Sequence, residues 1–151
     1  MIKPVFTIGA SDASRLIRTE VFMQEQGFQN EFDEDDKTAI TLVLFLDEVP
    51  IATGRLVKVD PATYQIGRIA VRKPYRHQQV GSYLMSFLCE KARTMGARTA
   101  IVHAQLDKRD FYNRLGFYDY GGGLIDEDEG VPHIYLSKNL YAESFFHRKR
   151  K

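Results

Sequence analysis

Apolar residues recur along the chain with two spacings, and each spacing predicts a different kind of element. Stretches that alternate apolar and polar residues, or that run continuously apolar, are typical of strands. The stretches are IKPVFTI (2–8), TLVLFL (41–46), IATGRLVKV (51–59), YQIGRIAV (64–71), TAIVHA (99–104), GFYDY (116–120) and HIYLSKNL (133–140). A tight turn from Asp47 to Pro50 joins the second and third stretches into a predicted β-hairpin.

A first helix is predicted shortly after the opening strand. Ser11 and Asp12 offer an N-cap, and the residues that follow place Leu16, Ile17 and Val21 on one helical face. This pattern predicts an amphipathic helix that buries one side.

The segment that follows residue 79 has the most regular helical period. Its apolar face is formed by Val80, Leu84, Phe87, Leu88, Ala92 and Met95. Gly96 supplies the stop, and a shorter helix is predicted from Asp107 to Leu115. Because strands are predicted on both sides of the central helix, residues 64–104 predict a βαβ unit with a parallel strand pair and a right-handed crossover. The order of elements predicts an α/β fold.

Composition limits the classes of protein that fit this pattern. The 151 residues suit one domain, predicted over 1–151 with a flexible basic tail from about residue 142. A net charge of +1 argues against a nucleic-acid partner, since such proteins carry a basic excess. The single cysteine, Cys89, argues against a disulfide framework or a thiolate-rich metal site. No signal peptide or membrane span is recognisable, so we expect a cytoplasmic protein with no membrane partner.

Candidate chemistry concentrates in VRKPYRHQQVGSYLM, residues 71–85, at the start of the central helix. The first N–H groups of a helix lack intrahelical partners and the helix dipole is positive there, so such an end suits a phosphate. Gly81 removes a Cβ where phosphates could approach, and Pro74 fixes the turn. Positive side chains around this end are Arg72, Lys73, Arg76 and His77. The alternative is a solvated basic turn with no ligand.

The sequence RHQQVGS and the order of elements resemble the GNAT superfamily of acyl-CoA N-acyltransferases. The pyrophosphate loop of that family reads Arg or Gln, two residues, Gly, one residue, Gly or Ala, and Arg76, Gln79 and Gly81 fall on those positions. Gln79 replaces the first glycine. AQLDKRDFYNRLGF (104–117) is similar to the family's later motif. Resemblance to the ElaA-like branch is carried by RTEVFMQEQGF (18–28), EFDEDD (31–36), IGRIAV (66–71), Ala104 with Gln105, and EGVPHI (129–134).

The resemblance implies a fold, a co-substrate and a set of binding residues. The implied fold is a mixed central sheet of about six to seven strands flanked by helices on both faces. The implied co-substrate is acetyl-CoA, without a metal. Ile69, Ala70 and Val71 would pair with the pantetheine arm as if it were an added strand. The remaining cofactor residues implied are Arg76, His77, Gln78, Gln79, Val80, Gly81, Ser82 and Tyr112.

Five residues are candidates for the catalytic steps, and Tyr112, Glu31 and His133 lead among them. The resemblance places Tyr112 near the cofactor sulfur, where its hydroxyl could donate a proton or a hydrogen bond to the leaving thiolate. The proton of the amine requires an acceptor. The candidates are Glu31, Asp33 and Asp36 in the acidic loop 27–37 and His133 at the start of the last predicted strand. Each also has a structural alternative, such as packing for Tyr112 and a hydrogen-bonded structural role for His133.

Four further charged residues stand among apolar neighbours, where an unpaired charge would be costly. They are Arg18, Glu25, Arg55 and Arg68. With the acidic loop they could form a structural ion network or the walls of an acceptor pocket. If the acidic loop faces the acceptor, it would favour a cationic amine.

Together these features predict an N-acetyltransferase that moves an acetyl group from acetyl-CoA to a primary amine of a small molecule or peptide. Two alternatives remain, an acyl-homoserine-lactone synthase-like enzyme and a non-catalytic CoA-binding module. The lactone synthases lack a typical pyrophosphate loop, so RHQQVGS favours the transferase. The resemblance allows a homodimer, and the oligomeric state stays open.

Overall fold

The structure, a computed structural model, describes residues 1–141. Its strands are β1 (Ile2–Ile8), β2 (Ile40–Leu46), β3 (Val49–Asp60), β4 (Thr63–Val71), β5 (Thr99–Gln105), β6 (Tyr118–Asp119), β7 (Ile125–Asp128) and β8 (Val131–Asn139). Its α-helices are α1 (Asp12–Arg18), α2 (Val80–Thr94) and α3 (Arg109–Arg114). A π-helix, Thr19–Glu25, follows α1 directly. The basic tail predicted from about residue 142 lies outside the described residues.

The described residues form two compact units. The first contains Met1–Val57 and Ile66–Leu88, and the second contains Lys58–Gln65 and residues 89–141. The α/β fold predicted from the sequence is confirmed, whereas the extent of the domain over 1–151 stays a prediction.

In the first unit, antiparallel pairing joins β1 to β2 and β2 to β3, and β4 follows β3 in the order of the sheet. The predicted hairpin between β2 and β3 turns at Asp47 and Glu48, whose φ angles of 48° and 71° are both positive. Paired positive φ values are the geometry of a type I′ turn, which matches the twist of the flanking strands. Fully buried side chains of this unit include Ile17, Leu42, Leu44, Ile51, Leu56, Ile66, Leu84, Met85 and Leu88.

The first helix differs from its prediction because it changes type. Ser11 caps α1 by accepting a hydrogen bond from the backbone N–H of Ser14, as its residue type predicts. The α-helical part ends at Arg18, and Val21 lies in the π-helix instead. Both Ile17 and Val21 are buried, so the predicted apolar face is present, whereas Leu16 is 54% exposed.

In the second unit, β8 pairs antiparallel with β5 on one side and with β6 and β7 on the other. Strand β7 was not predicted, because its residues IDED are exposed and acidic and carry no apolar alternation. The predicted strand 116–120 shortens to Tyr118–Asp119. Buried residues of this unit include Ala92, Ala100, Val102, Phe117, Ile134, Leu136 and Leu140.

Strand, helix and strand follow one another as β4, α2 and β5 in the predicted order. Val80, Leu84, Leu88 and Ala92 of the predicted apolar helix face are buried. The prediction was wrong for Met95, which lies beyond the end of α2 and is 42% exposed.

Candidate active site

The predicted pantetheine strand follows a break in regular strand geometry. Arg68, within β4, has a φ of 55°, although β-strand residues ordinarily have negative φ. Its backbone conformation costs on the order of 1 kcal/mol or more and persists only where the surroundings enforce it. Ile69, Ala70 and Val71 come directly after this break. The site therefore begins at a strained point of the strand.

The loop that follows β4 contains further left-handed backbone. Lys73–Tyr75 form a short 3-10 turn with Pro74 at its start, as Pro favours. His77 and Gln79 then take φ angles of 62° and 64°. Gln79 stands where the family motif has glycine, and its positive φ explains that preference, since glycine adopts such a φ without a Cβ penalty.

The loop ends at the N-terminus of α2. The backbone N–H of Tyr83 donates to the carbonyl of Gln79 at 3.1 Å, which is the first hydrogen bond of the helix. The N–H groups of Val80, Gly81 and Ser82 precede this bond and have no acceptor within the helix. Three consecutive donors at the positive end of a helix of 15 residues can hold a phosphate group.

The two arginines of the loop are held by carboxylates of the π-helix. Arg76 donates from its two terminal nitrogens to Glu25 at 2.6 and 2.7 Å, and from Nε to the carbonyl of Val71 at 2.8 Å. Arg72 donates from Nε to Glu20 at 2.9 Å and from Nη1 to the carbonyl of Pro50 at 3.0 Å. Positive charge is present at the loop as predicted, but the guanidinium groups already have anionic partners.

A buried cluster of ion pairs organises the acidic loop. The Arg18 side chain is 1% exposed and donates to Glu31 Oε2 at 2.9 Å and to Asp36 Oδ1 at 2.5 Å. Its guanidinium also lies over the Phe32 ring, 4.6 Å from the ring centroid. Glu31 and Asp36 are buried, although a polar stretch of this kind is usually solvated. Burial is tolerated because each charge has a partner.

Arg55 and Arg68 complete this cluster. Arg55 Nη1 contacts Asp33 Oδ1 at 2.8 Å and Asp36 Oδ1 at 2.9 Å. Arg68 Nε lies 3.0 Å from Glu31 Oε2, so the strained residue of β4 is tied directly to the acidic loop. Of the two roles predicted for these arginines, the geometry matches the ion network. Glu25, predicted among them, pairs with Arg76 instead.

The carboxylates of the cluster differ in how readily they lose a proton. Burial raises the pKa of Glu31 above its ordinary value, although Arg68 and Arg18 act in the opposite direction. A hydrogen bond from Arg55 lowers the pKa of Asp33. Burial opposes ionisation of Asp36, but hydrogen bonds from Arg18 and from the Asp33 backbone lower its pKa to about 2. Asp33 and Asp36 are therefore weak proton acceptors, and Glu31 is the stronger one.

Tyr112 lies in α3, in the second unit. Its side chain is buried, and its ring makes edge contacts with Phe111 and Phe117 at centroid distances of 5.0 and 6.0 Å. Within residues 1–141 its hydroxyl makes no hydrogen bond, and burial raises its pKa. Tyr112 therefore keeps its proton at neutral pH and remains a hydrogen-bond donor.

His133 lies near the start of β8 and is 6% exposed. Its Nδ1 lies 2.8 Å from the carbonyl oxygen of Val131. Because a carbonyl can only accept, Nδ1 must carry a proton, and in the neutral ring Nε2 keeps its lone pair. The structure thus leaves one nitrogen of His133 able to accept a proton.

A second histidine lies beside His133 and was not predicted as a site residue. His103 on β5 has its ring centroid 4.8 Å from that of His133 and stacks on Tyr135 at 4.3 Å. Its Nε2 lies 2.7 Å from Asp126 Oδ1, and this hydrogen bond is the main reason that the pKa of Asp126 is lowered. Since β8 lies between β5 and β7, the contact from His103 to Asp126 passes over β8.

The sequence carried only a weak signal for His103. Its place in TAIVHA, two residues before Gln105, gives it the same strand face as Gln105, which pairs with His133. The partner Asp126 lies on the strand that has no apolar pattern, so the cluster becomes visible only once β7 is placed.

Residues 1–141 contain neither a metal-ligand cluster nor a membrane-spanning helix. Among residues 1–141, no three His, Cys, Asp or Glu side chains are grouped so as to hold a metal ion. No described helix has the length and apolar character needed to cross a bilayer.

Comparison with known proteins identifies the family of this chain. The sequence profile of the Acetyltransferase (GNAT) family matches residues 10–117. The protein YyaT of Bacillus subtilis strain 168 is 30% identical over 144 residues, which cover 92% of this chain and 95% of YyaT. An N-acetyltransferase candidate from Lactobacillus plantarum superposes with a TM-score of 0.82 at 31% identity, covering 92% of this chain and 98% of that one.

Escherichia coli ElaA superposes with a TM-score of 0.80 at 26% identity, covering 92% of this chain and 100% of ElaA. The predicted resemblance to the family and to its ElaA-like branch is therefore confirmed. The matched profile spans the acidic loop, the loop before α2 and the motif that contains Tyr112. This chain belongs to the Acetyltransferase (GNAT) family.

Proposed function

We propose that the protein is an N-acetyltransferase that moves an acetyl group from acetyl-CoA to a primary amine of a small molecule or peptide. Membership of an acetyltransferase family supports acyl transfer. One observation supports acetyl-CoA as the acetyl donor. The loop with left-handed residues at His77 and Gln79 leads into the free N–H groups at the start of α2. This geometry suits the pyrophosphate of a CoA ester. A cytoplasmic setting fits such a donor.

In the proposed reaction the amine nitrogen attacks the acetyl carbonyl carbon, a C–N bond forms and the C–S bond breaks. Ile69 to Val71 would align the pantetheine arm through backbone hydrogen bonds, and the backbone N–H groups of residues 78–82 would hold the phosphates. The electron pair of the broken bond leaves on the CoA sulfur. Alignment of amine and thioester is expected to supply much of the rate enhancement.

Tyr112 would assist the leaving thiolate by a hydrogen bond. Burial raises its pKa, so full transfer of its proton to a thiolate is unfavourable, and donation of a hydrogen bond is the role that fits. The hydroxyl is suited to this role because it has no other acceptor within the described residues.

We propose His133 as the acceptor of the amine proton. Its Nδ1 is committed to the Val131 carbonyl, which orients the ring and leaves Nε2 as the basic nitrogen. Glu31 is the second candidate because burial raises its pKa, but Arg18 and Arg68 both bind its Oε2. Removing Glu31 would take one carboxylate partner from the buried Arg18 and one from Arg68, so its loss is expected to reduce stability first.

An acetylation assay over a panel of primary amines, read by release of free thiol from acetyl-CoA, tests the proposed function. We expect turnover with at least one primary amine. We also expect His133→Gln to lower kcat by about 100-fold while acetyl-CoA still binds. Binding of acetyl-CoA without acetylation of any amine would indicate a CoA-binding module. A lactone product from S-adenosylmethionine and an acyl donor would indicate the synthase class.

A further inference from the structure

The π-helix Thr19–Glu25 lies next to the proposed cofactor loop in the first unit. Its geometry is shown by the backbone N–H of Gln26, which donates to the carbonyl of Val21, five residues earlier, at 3.1 Å. Such helices are rare and occur frequently at functional sites. The α-helix that precedes it continues into it without a break.

The change of helix type determines where two glutamates lie. In an α-helix, residues five apart are separated by about 140° around the axis, so Glu20 and Glu25 would point in different directions. Hydrogen bonding over five residues instead brings such positions close to one side. Accordingly, both carboxylates contact the same loop, Glu20 through Arg72 and Glu25 through Arg76.

The loop requires external support, because two of its residues other than glycine have left-handed backbone. His77 and Gln79 each cost on the order of 1 kcal/mol in this conformation. Arg76, just before them, is held at both ends of its guanidinium. Its Nε binds the carbonyl of Val71 at the end of β4, and its terminal nitrogens bind both carboxylate oxygens of Glu25.

We propose that the π-helix braces the cofactor loop and that Glu25 is its principal positioning residue. The inference rests on the proposed function, because the brace serves acetyl-CoA by fixing the N–H groups of residues 78–82 in a phosphate-binding arrangement. The Arg76 fork faces Glu25, so Arg76 acts by holding the loop, and the backbone supplies the phosphate contacts. Glu20 acts in the same way on Arg72, with one bond at 2.9 Å and one at 3.3 Å.

Glu25→Gln keeps the size of the side chain and removes the charge that holds Arg76. We expect faster hydrogen exchange in residues 72–79 of the ligand-free protein and a dissociation constant for acetyl-CoA raised about tenfold. Both kcat at saturating acetyl-CoA and KM for the amine should change less than about twofold, since a positioning role on the donor loop affects donor binding.

Glu90→Gln is the matched control. Glu90 pairs with Arg93 through both carboxylate oxygens on the exposed surface of α2, in the same kind of contact. This variant should leave exchange in 72–79 and the acetyl-CoA dissociation constant at the parental values. Glu20→Gln should give the same change as Glu25→Gln with smaller amplitude.

Unchanged loop exchange in Glu25→Gln would overturn the inference, whatever the activity of the protein. An equal loss of acetyl-CoA affinity in Glu25→Gln and Glu90→Gln would also overturn it, because the effect would then be general. By contrast, a parent protein that binds no acetyl-CoA would contradict the proposed function, and the exchange experiment would still decide whether Glu25 holds the loop.

Discussion

At the scale of single residues, the second unit presents a tyrosine whose burial defines its chemistry. Tyr112 has aromatic neighbours on two sides and no hydrogen-bond acceptor within residues 1–141. A hydroxyl in such surroundings keeps its proton over the whole physiological pH range. It would therefore donate to a transient anion and be ready for the next cycle without reprotonation.

We predict that Tyr112→Phe lowers kcat by about 10- to 100-fold while the dissociation constant of acetyl-CoA changes less than about twofold, because only the developing thiolate needs the hydrogen bond. Steady-state kinetics and calorimetric titration measure the two effects. Tyr118→Phe, at a tyrosine that is 63% exposed, is the control. Parental kcat in the Tyr112 variant would remove this residue from the mechanism.

Gln79 has a backbone conformation that is unfavourable for a residue with a Cβ. Its φ of 64° is strained for glutamine and free for glycine. We predict that Gln79→Gly stabilises the protein by about 0.5 to 1 kcal/mol, the relief of strain being partly offset by the greater chain entropy of glycine. Gln78→Gly, at a neighbour without positive φ, should destabilise by a similar amount. Urea unfolding compares the two, and destabilisation by both would contradict the prediction.

At the scale of elements, ion pairs between buried side chains join the 3-10 turn Glu34–Lys37 to helix α1 and to strand β3. Asp36 is 3% exposed and accepts hydrogen bonds from Arg18 and Arg55. We predict that Asp36→Asn destabilises the protein by about 3 kcal/mol, because two buried arginines each lose one of their carboxylate partners. Glu34→Gln, at a side chain that is 85% exposed, should change stability by less than about 0.5 kcal/mol in the same chemical denaturation experiment.

The same element should make folding sensitive to acid. The pKa of Asp36 is about 2 in the folded protein against an ordinary value of 3.8, so its contribution is present above pH 3.8 and is lost as pH falls through 2. This contribution is about 2 kcal/mol. Asp33, with a lowered pKa, acts in the same direction, whereas the raised pKa of Glu31 acts in the opposite one. Denaturation between pH 5 and 2 should show a smaller loss of stability in Asp36→Asn than in the parent.

Periodicity predicted the long elements of this chain and missed those whose reason lies in tertiary contacts. Helix α2 and strands β2 and β3 follow from their apolar patterns, because burial of one face determines them. The π-helix could not be predicted from its apolar pattern, because its residues TEVFMQE suit an α-helix equally well. Strand β7 was also missed by the prediction, because an exposed acidic strand is defined by its pairing with β8.

Some features of the candidate site were also predictable from the sequence, and others were not. The loop before α2 was recognisable because helix N-termini and motif spacing are local properties of the sequence. The ion-pair partners of Arg72 and Arg76 were not recognisable, because Glu20 and Glu25 lie 52 and 51 positions earlier in the sequence. Ion pairs between residues so far apart produce no periodic pattern in the sequence, and only the folded structure shows which charged residues pair.

At the scale of the whole molecule, the extent of the cooperative unit is open to direct measurement. We predict that residues 1–151 unfold in one transition, with equal calorimetric and van't Hoff enthalpies, as expected for one domain of this size. Acetyl-CoA at about 100 times its dissociation constant should add about 2.7 kcal/mol to stability and raise the single Tm. Two transitions, with only one responding to acetyl-CoA, would contradict the single-domain prediction.

The wide turn of the π-helix also has a consequence for how sequences of relatives can be compared. It holds one residue more than an α-helical turn, so a one-residue deletion between Thr19 and Glu25 could be absorbed by a return to α-helical geometry. The same deletion would rotate the acidic position away from the loop. We expect relatives with such a gap to lack the carboxylate opposite their loop arginine. The length of this segment would then distinguish groups of relatives by common descent, and an alignment of their sequences checks this expectation.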